Sequence, residues 1–299
     1  MGALEGRIAI ITGAGRGIGR EHALLFASEG AKVVVNDFGG ALDGSSSSAT
    51  PAEEVVSEIK AMGGEAVANH DNVADWEGGS RLVQCALESF GDLHVLVNNA
   101  GILRDRVLVN LSEDDWDSVI NVHLKGHFVP TRHAATYWRE QAKAGKTVKA
   151  SVICTSSTSG LLGNVGQSNY GAAKSGIASF ALIVAEELGR YGVRVNAICP
   201  GGIATSIFGR AAGLDAQAAQ RTVAVMQDAL AAVAPMKRSG LPIDIAECAL
   251  WLASDSSSFV NGQAIAVDGG LTTGPTYRSS RARMEAMIGV LADIGNAES

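Results

Sequence analysis

The chain has 299 residues, 46% hydrophobic and 18% charged, the balance of a globular protein able to bury a large core. A net charge of -7 with no Lys/Arg run excludes a nucleic-acid footprint and argues against docking on anionic membranes. It leaves an anionic cofactor open, because backbone N–H groups hold phosphate without basic side chains. In chain order, the pattern predicts strand Arg7–Ile11, helix Gly17–Glu29, strand Lys32–Val35, helix Glu53–Met62, strand Glu65–Asn69 and helix Trp76–Phe90. Strand Val95–Val97, helix Glu113–His133, strand Ser151–Cys154, helix Asn169–Arg190, strand Arg194–Ile198, helix Ile243–Leu252 and strand Ala264–Val267 follow. Most of these strands are continuously apolar, as strands buried on both faces are. Strict strand–helix alternation predicts one α/β domain over 1–299, a doubly wound parallel sheet with helices on both faces.

Local signals support the boundaries. Ser112 followed by Asp115 reads as a helix cap, and Pro242 suits a first helical position. Three stretches break the rhythm. Gly39 to Pro51 is a Ser-rich loop, either a surface insertion or a lid. The stretch 205–236 is a long helical, Ala-rich excursion between the last two strands. The tail 275–299 reads as a helix without an evident partner. Cys85, Cys154, Cys199 and Cys248 show no paired or metal-like spacing, and Cys154 and Cys199 lie in strand-like runs expected in the core. Together with an N-terminus lacking signal character and no run long enough to span a bilayer, this predicts a cytoplasmic protein. His22, His123, His127 and His133 form no metal-like set, so no metal is expected.

The chemistry begins at Thr12-Gly13-Ala14-Gly15-Arg16-Gly17-Ile18-Gly19, between the first strand and the first helix. Glycines there permit a tight turn and close approach of a pyrophosphate, which the helix N-terminus then attracts. Asp37, at the end of the second strand, sits where an acid binds the adenosine ribose hydroxyls and repels a 2′-phosphate. This favours NAD; Arg16, which could meet a 2′-phosphate, is the competing signal. Tyr170 and Lys174 stand at i and i+4 on one helix face, so an ammonium can favour the phenolate. Ser157, at the end of the fifth strand, is placed to hold a substrate oxygen.

In this order the residues resemble the short-chain dehydrogenase/reductase family over Arg7 to Gly270. The resemblance implies a Rossmann-type, seven-stranded sheet. It implies that the Thr12–Gly19 turn binds cofactor through Gly13, Arg16, Gly17, Ile18 and Gly19, and that Asn99, Ala100 and Gly101 border the adenine. Asp71, beside Asn72, contacts the adenine amino group, and Pro200, Gly201, Ile203 and Thr205 bind the carboxamide. Asn121 anchors a proton-relay water, completing a catalytic set with Ser157, Tyr170 and Lys174. The segments Val35–Gly40, Gly101–Arg106 and Gly163–Gln167 further resemble the dehydrogenase part of peroxisomal multifunctional β-oxidation enzymes. That likeness implies NAD-dependent oxidation of a 3-hydroxyacyl-CoA or a bulky hydroxysteroid-like alcohol, while the wider family resemblance implies a homotetramer. The 205–236 segment does not share it, which leaves the substrate open. An NADPH-dependent 3-oxoacyl reductase and a catalytically silent NAD-binding sensor or scaffold are the alternatives. The apolar face around Ile177, Phe180, Ala181 and Val184 suits either a subunit interface or the sheet.

Overall fold

A computed structural model describes residues 2–39, 50–207, 209 and 214–273. The interior of the Ser-rich loop, part of the 205–236 excursion and the tail 275–299 lie outside the described residues. Seven strands form one parallel sheet: β1 (Ile8–Thr12), β2 (Lys32–Asn36), β3 (Glu65–Asn69), β4 (Val95–Asn98), β5 (Ala150–Thr155), β6 (Val193–Pro200) and β7 (Ala264–Val267). Their order is β3-β2-β1-β4-β5-β6-β7, so the chain reverses direction across the sheet between β1 and β4. A crevice opens beyond the strand carboxyl ends at such a reversal.

The helices α1 (Gly17–Ser28), α2 (Pro51–Ala61), α3 (Trp76–Phe90), α4 (Glu113–Ile120), α5 (Gly126–Lys143), α6 (Thr158–Leu162), α7 (Ser168–Gly189), α8 (Ala216–Val233) and α9 (Pro242–Ala253) connect them. Strand periodicity sends Ala9, Ile11, Val33 and Val35 to one face, against Phe26 of α1, Ile59 of α2 and Leu252 of α9. Ile8, Ile10, Val34 and Leu96 face the other way, onto Leu82 of α3, Trp138 of α5 and Ile177 of α7. Each such Val, Ile or Leu contributes about 1.5–3 kcal/mol by leaving water. The face around Ile177, Phe180, Ala181 and Val184 is therefore sheet-facing core. Leu182 and Ile183 are the neighbours that stay exposed.

The caps behave as the sequence indicates. Ser112 and Asp115 form a reciprocal capping box on α4, and Pro242 opens α9. The expected helix over Glu113–His133 is different. It is broken by a π-helical turn at Asn121–Lys125 and then continues to Lys143. Buried Thr131, Ala134 and Trp138 keep one face of α5 on the sheet, which carries the helix beyond His133. A π turn inserts an extra residue that 3.6-residue periodicity does not reveal.

Candidate active site

The crevice at the β1/β4 reversal is stitched by side chains. Thr12 Oγ1 accepts from the N–H groups of Asn99 (2.9 Å) and Ala100 (3.1 Å). Asn99 Nδ2 donates back to the carbonyls of Thr12 (3.1 Å) and Gly13 (3.3 Å). Gly13 has φ +61°, and a Cβ there would lie 2.8 Å from Ala100 Cα. The backbone thus approaches more closely than any side chain permits. At the end of β2, Asp37 is held by two backbone donors: Gly15 N–H to Oδ2 (2.9 Å) and Gly39 N–H to Oδ1 (3.0 Å).

A cavity of about 720 Å³ runs from this turn along the strand ends. Gly13, Arg16, Gly17, Ile18, Asp37 and Asn72 line its start. Asn99, Ala100, Gly101, Pro200, Gly201, Ile203 and Thr205 line its middle and far wall. It closes on Ser157, Tyr170 and Lys174. A bare glycine turn with a carboxylate beside it at one end and a buried cation at the other fits a nicotinamide dinucleotide.

Ser157 is the N-cap of α6, with Oγ accepting from Ser159 N–H at 3.1 Å, which fixes the hydroxyl at the strand end. Tyr170 and Lys174 project from one face of α7, with Lys174 Nζ 5.4 Å from the Tyr170 ring centre. The ammonium donates to Thr155 O at 2.6 Å, and burial lowers its pKa to about 7. Burial likewise pushes the Tyr170 phenol up to about 12, while a hydrogen bond with Ser157 works in the opposite direction. The phenol is thus held in its neutral form, and a positive charge nearby would favour its ionisation.

Three expected residues are not brought into the cavity. Gly19 serves packing instead: a Cβ there would lie 2.1 Å from Gly13 O, so it lets α1 cross the turn. Asp71 lies outside the cavity lining and accepts from Asn69 Nδ2 (2.9 Å) and Arg81 Nε (2.7 Å). Asn121 is exposed at the start of the π turn. His123, two residues on, takes the inward place and lines the cavity. Sequence reasoning passed over it; the signal available was its i, i+4 spacing with His127 on a helix that must bury one face.

A second cavity, of about 760 Å³, meets the first at Ser157 and Tyr170. Leu103, Leu162, Ile207, Met226, Leu230 and Val233 make much of its wall apolar. Two loops form one side of it. Arg106 N–H donates to Gly166 O (2.9 Å), Gln167 Nε2 to Asp105 Oδ2 (2.7 Å) and Asn169 Nδ2 to Arg104 O (3.1 Å). The segment after β4 is thereby tied to the start of α7.

Comparison with known proteins agrees with this geometry. A family model described as enoyl-(acyl carrier protein) reductase matches residues 13–272. The hydroxyacyl-CoA dehydrogenase ChsB1 of Mycobacterium tuberculosis is 42% identical over 89% of this chain and 78% of its own length. The 3-oxoacyl-[acyl-carrier-protein] reductase of Synechocystis is 38% identical over 91% and 99%. The peroxisomal multifunctional enzyme type 2 of Drosophila melanogaster is 50% identical over 66% of this chain, which spans only 31% of that protein. A crystal structure of a short chain dehydrogenase from Mycobacterium avium superposes with TM-score 0.74 at 48% identity, covering 90% of this chain and 84% of that one. The chain belongs to the short-chain dehydrogenase/reductase family, oxidoreductases that act on CH–OH groups with a nicotinamide cofactor.

Proposed function

We propose that this single-domain protein is an NAD-dependent dehydrogenase interconverting a secondary alcohol and a ketone. Its substrate is a 3-hydroxyacyl-CoA or, failing that, a bulky hydroxysteroid-like alcohol. The observation that carries this reading is the meeting of a cofactor-shaped cavity and a large apolar cavity at Ser157 and Tyr170. A bound nicotinamide supplies the hydride acceptor and a positive charge. Tyr170, as phenolate, takes the hydroxyl proton of the substrate, and Ser157 holds the same oxygen. Lys174 favours the phenolate and orients the nicotinamide ribose. Gly13, Arg16, Gly17 and Ile18 border the pyrophosphate, while Pro200, Gly201, Ile203 and Thr205 border the carboxamide.

Asp37 supports NAD over NADP. Its carboxylate is fixed by two backbone donors at the ribose end, where a 2′-phosphate would meet like charge. The test is oxidation of 3-hydroxyacyl-CoA and steroid alcohols with NAD and NADP side by side. NAD should support turnover at least about tenfold better, and Asp37→Ser should move the NADP/NAD ratio of kcat/KM upward by about 100-fold. A native preference for NADP would overturn the cofactor assignment. It would favour the second reading, an NADPH-dependent 3-oxoacyl reductase, which the 38% identity to the Synechocystis reductase along nearly its whole length keeps in view.

Copies of the chain are the partners this reading names, as a homotetramer. Leu182 and Ile183 on α7, and Trp76 with its ring tilted against those of Phe128 and His133, supply exposed apolar surface for it. Sedimentation of the purified protein reads the assembly directly. Among the described residues no helix is long and apolar enough to cross a membrane. Cys85, Cys154, Cys199 and Cys248 are free, which suits the reducing cytoplasm.

A further inference from the structure

His123 has a set of contacts that the reaction scheme leaves unused. It is 2% exposed and lies in the π turn Asn121–Lys125, a helical irregularity frequent at functional sites. Its ring meets the Tyr170 ring edge-on, with centroids 5.2 Å apart and planes at 85°. Nε2 sits 3.1 Å from the Ile102 nitrogen and 2.8 Å from the Ile102 oxygen, so the backbone satisfies it in either tautomer. The His123 carbonyl accepts from His127 Nδ1 at 2.7 Å, which anchors the turn from the next turn of helix. Gly101 makes room for the imidazole, since a Cβ there would lie 2.4 Å from Cε1. Nδ1 is buried without a protein partner, on a residue that lines the cofactor cavity.

These contacts are more than packing requires. An apolar side chain would fill the space, and a buried nitrogen without a partner is retained only at a cost. The contacts instead fix the plane and position of the ring that faces Tyr170. The charged or titratable groups around it are Tyr170, Lys174 and His127; burial, foremost, and the Lys174 cation hold the His123 imidazole neutral.

We propose that His123 is a positioning residue: its imidazole braces the Tyr170 ring, and its Nδ1 hydrogen-bonds the hydroxyl or water that arrives with the nicotinamide ribose. This rests on Tyr170 being the proton acceptor, but two of its tests do not need turnover. In ¹⁵N NMR of the full chain, the His123 Nδ1 resonance should move on adding NAD without substrate. A resonance that stays fixed at saturating NAD overturns the hydrogen bond. The NAD affinity of His123→Leu, read by calorimetry, should fall by about threefold to tenfold, the loss of one hydrogen bond to the arriving hydroxyl or water, and an unchanged affinity overturns that bond.

In steady state, His123→Leu should lower kcat by about 100-fold with KM little changed, the penalty expected when a reacting group is misplaced by about 1 Å. The alkaline rise of its pH–kcat profile should move up by about one unit, which a purely structural defect would not do. His123→Gln, which keeps a polar atom for Ile102, should recover at least about tenfold of kcat. A folded Leu variant with native kcat and pH profile, or a folded Gln variant no better than Leu, overturns the proposal. If the Leu variant fails to fold, the Gln variant and the NMR shift decide it. Loss of all alcohol oxidation in the native protein, with the NMR shift intact, would count against the proposed function and not against the Nδ1 contact.

Discussion

Replacing Tyr170 with Phe lowers alcohol oxidation by at least about 10³-fold, within the range that removal of a positioned acid–base group produces. NAD affinity should hold within about threefold, because the substitution deletes one oxygen and keeps the ring beside Lys174 and His123. The same oxygen sets the pH response. Burial holds the phenol at about 12 in the absence of ligands; the Asp105 charge acts in the same direction and the hydrogen bond with Ser157 opposes both. Each pKa unit by which the phenol is lowered needs about 1.4 kcal/mol of preference for the anion. Oxidation should therefore accelerate with rising pH until the phenolate is fully formed, and ketone reduction should be favoured toward acid. Steady-state kinetics of both directions from pH 6 to 10, with calorimetric NAD binding to the Phe variant, checks both parts. A Phe variant retaining a tenth of native activity would sink the assignment of Tyr170.

The folded protein should lose stability steeply below pH 6.5. His22 and His127 are each fully enclosed, and burial lowers both from their ordinary value to about 3. The unfolded chain binds protons on these imidazoles from about pH 6.5 downward, whereas the native state does not. Stability is thus fully present above pH 6.5 and falls as pH drops toward 3. The loss is about 3 kcal/mol per imidazole at pH 4, so the pair removes a large part of a typical stability of about 5–15 kcal/mol. His22 offers the clean control. Both of its nitrogens are buried without partners and the ring packs near Phe26 on α1, and it is not part of the cofactor-cavity lining. His22→Leu should raise the melting temperature at pH 7 and raise it further at pH 4.5. A gap that does not widen toward acid would mean that His22 is not the group resisting the proton.

The framework was readable because its signals are local. Continuous Val/Ile runs marked the strands, and the bounds of β3, β7 and α3 come out as the pattern indicates. The turn from Thr12 to Gly19, Asp37 and the Tyr170–Lys174 spacing each follow from one element and its end. What stayed hidden depends on contacts between elements. Asp71 looks unengaged in sequence, yet it accepts from Arg81 on the next helix and from Asn69. Asn121 looks like a helix residue facing inward, yet the π turn leaves it exposed and gives the inner face to His123. The face around Ile177 could not be assigned from periodicity, since a helix buries one side the same way against a sheet or another subunit. The substrate wall on α8 carries Ala-rich periodicity and no chemistry that names a ligand.

The ties from Arg104, Asp105 and Arg106 to Gly166, Gln167 and Asn169 give the substrate chamber an uneven adaptability. One wall is continuous with the helix that carries Tyr170, so a change there is transmitted to that side chain. Another part of the wall, from Met226, Leu230 and Val233, belongs to a separate helix. A new substrate is therefore reached most cheaply by exchanging that helix, as one would change the jaw of a vice while leaving its fixed plate and screw in place.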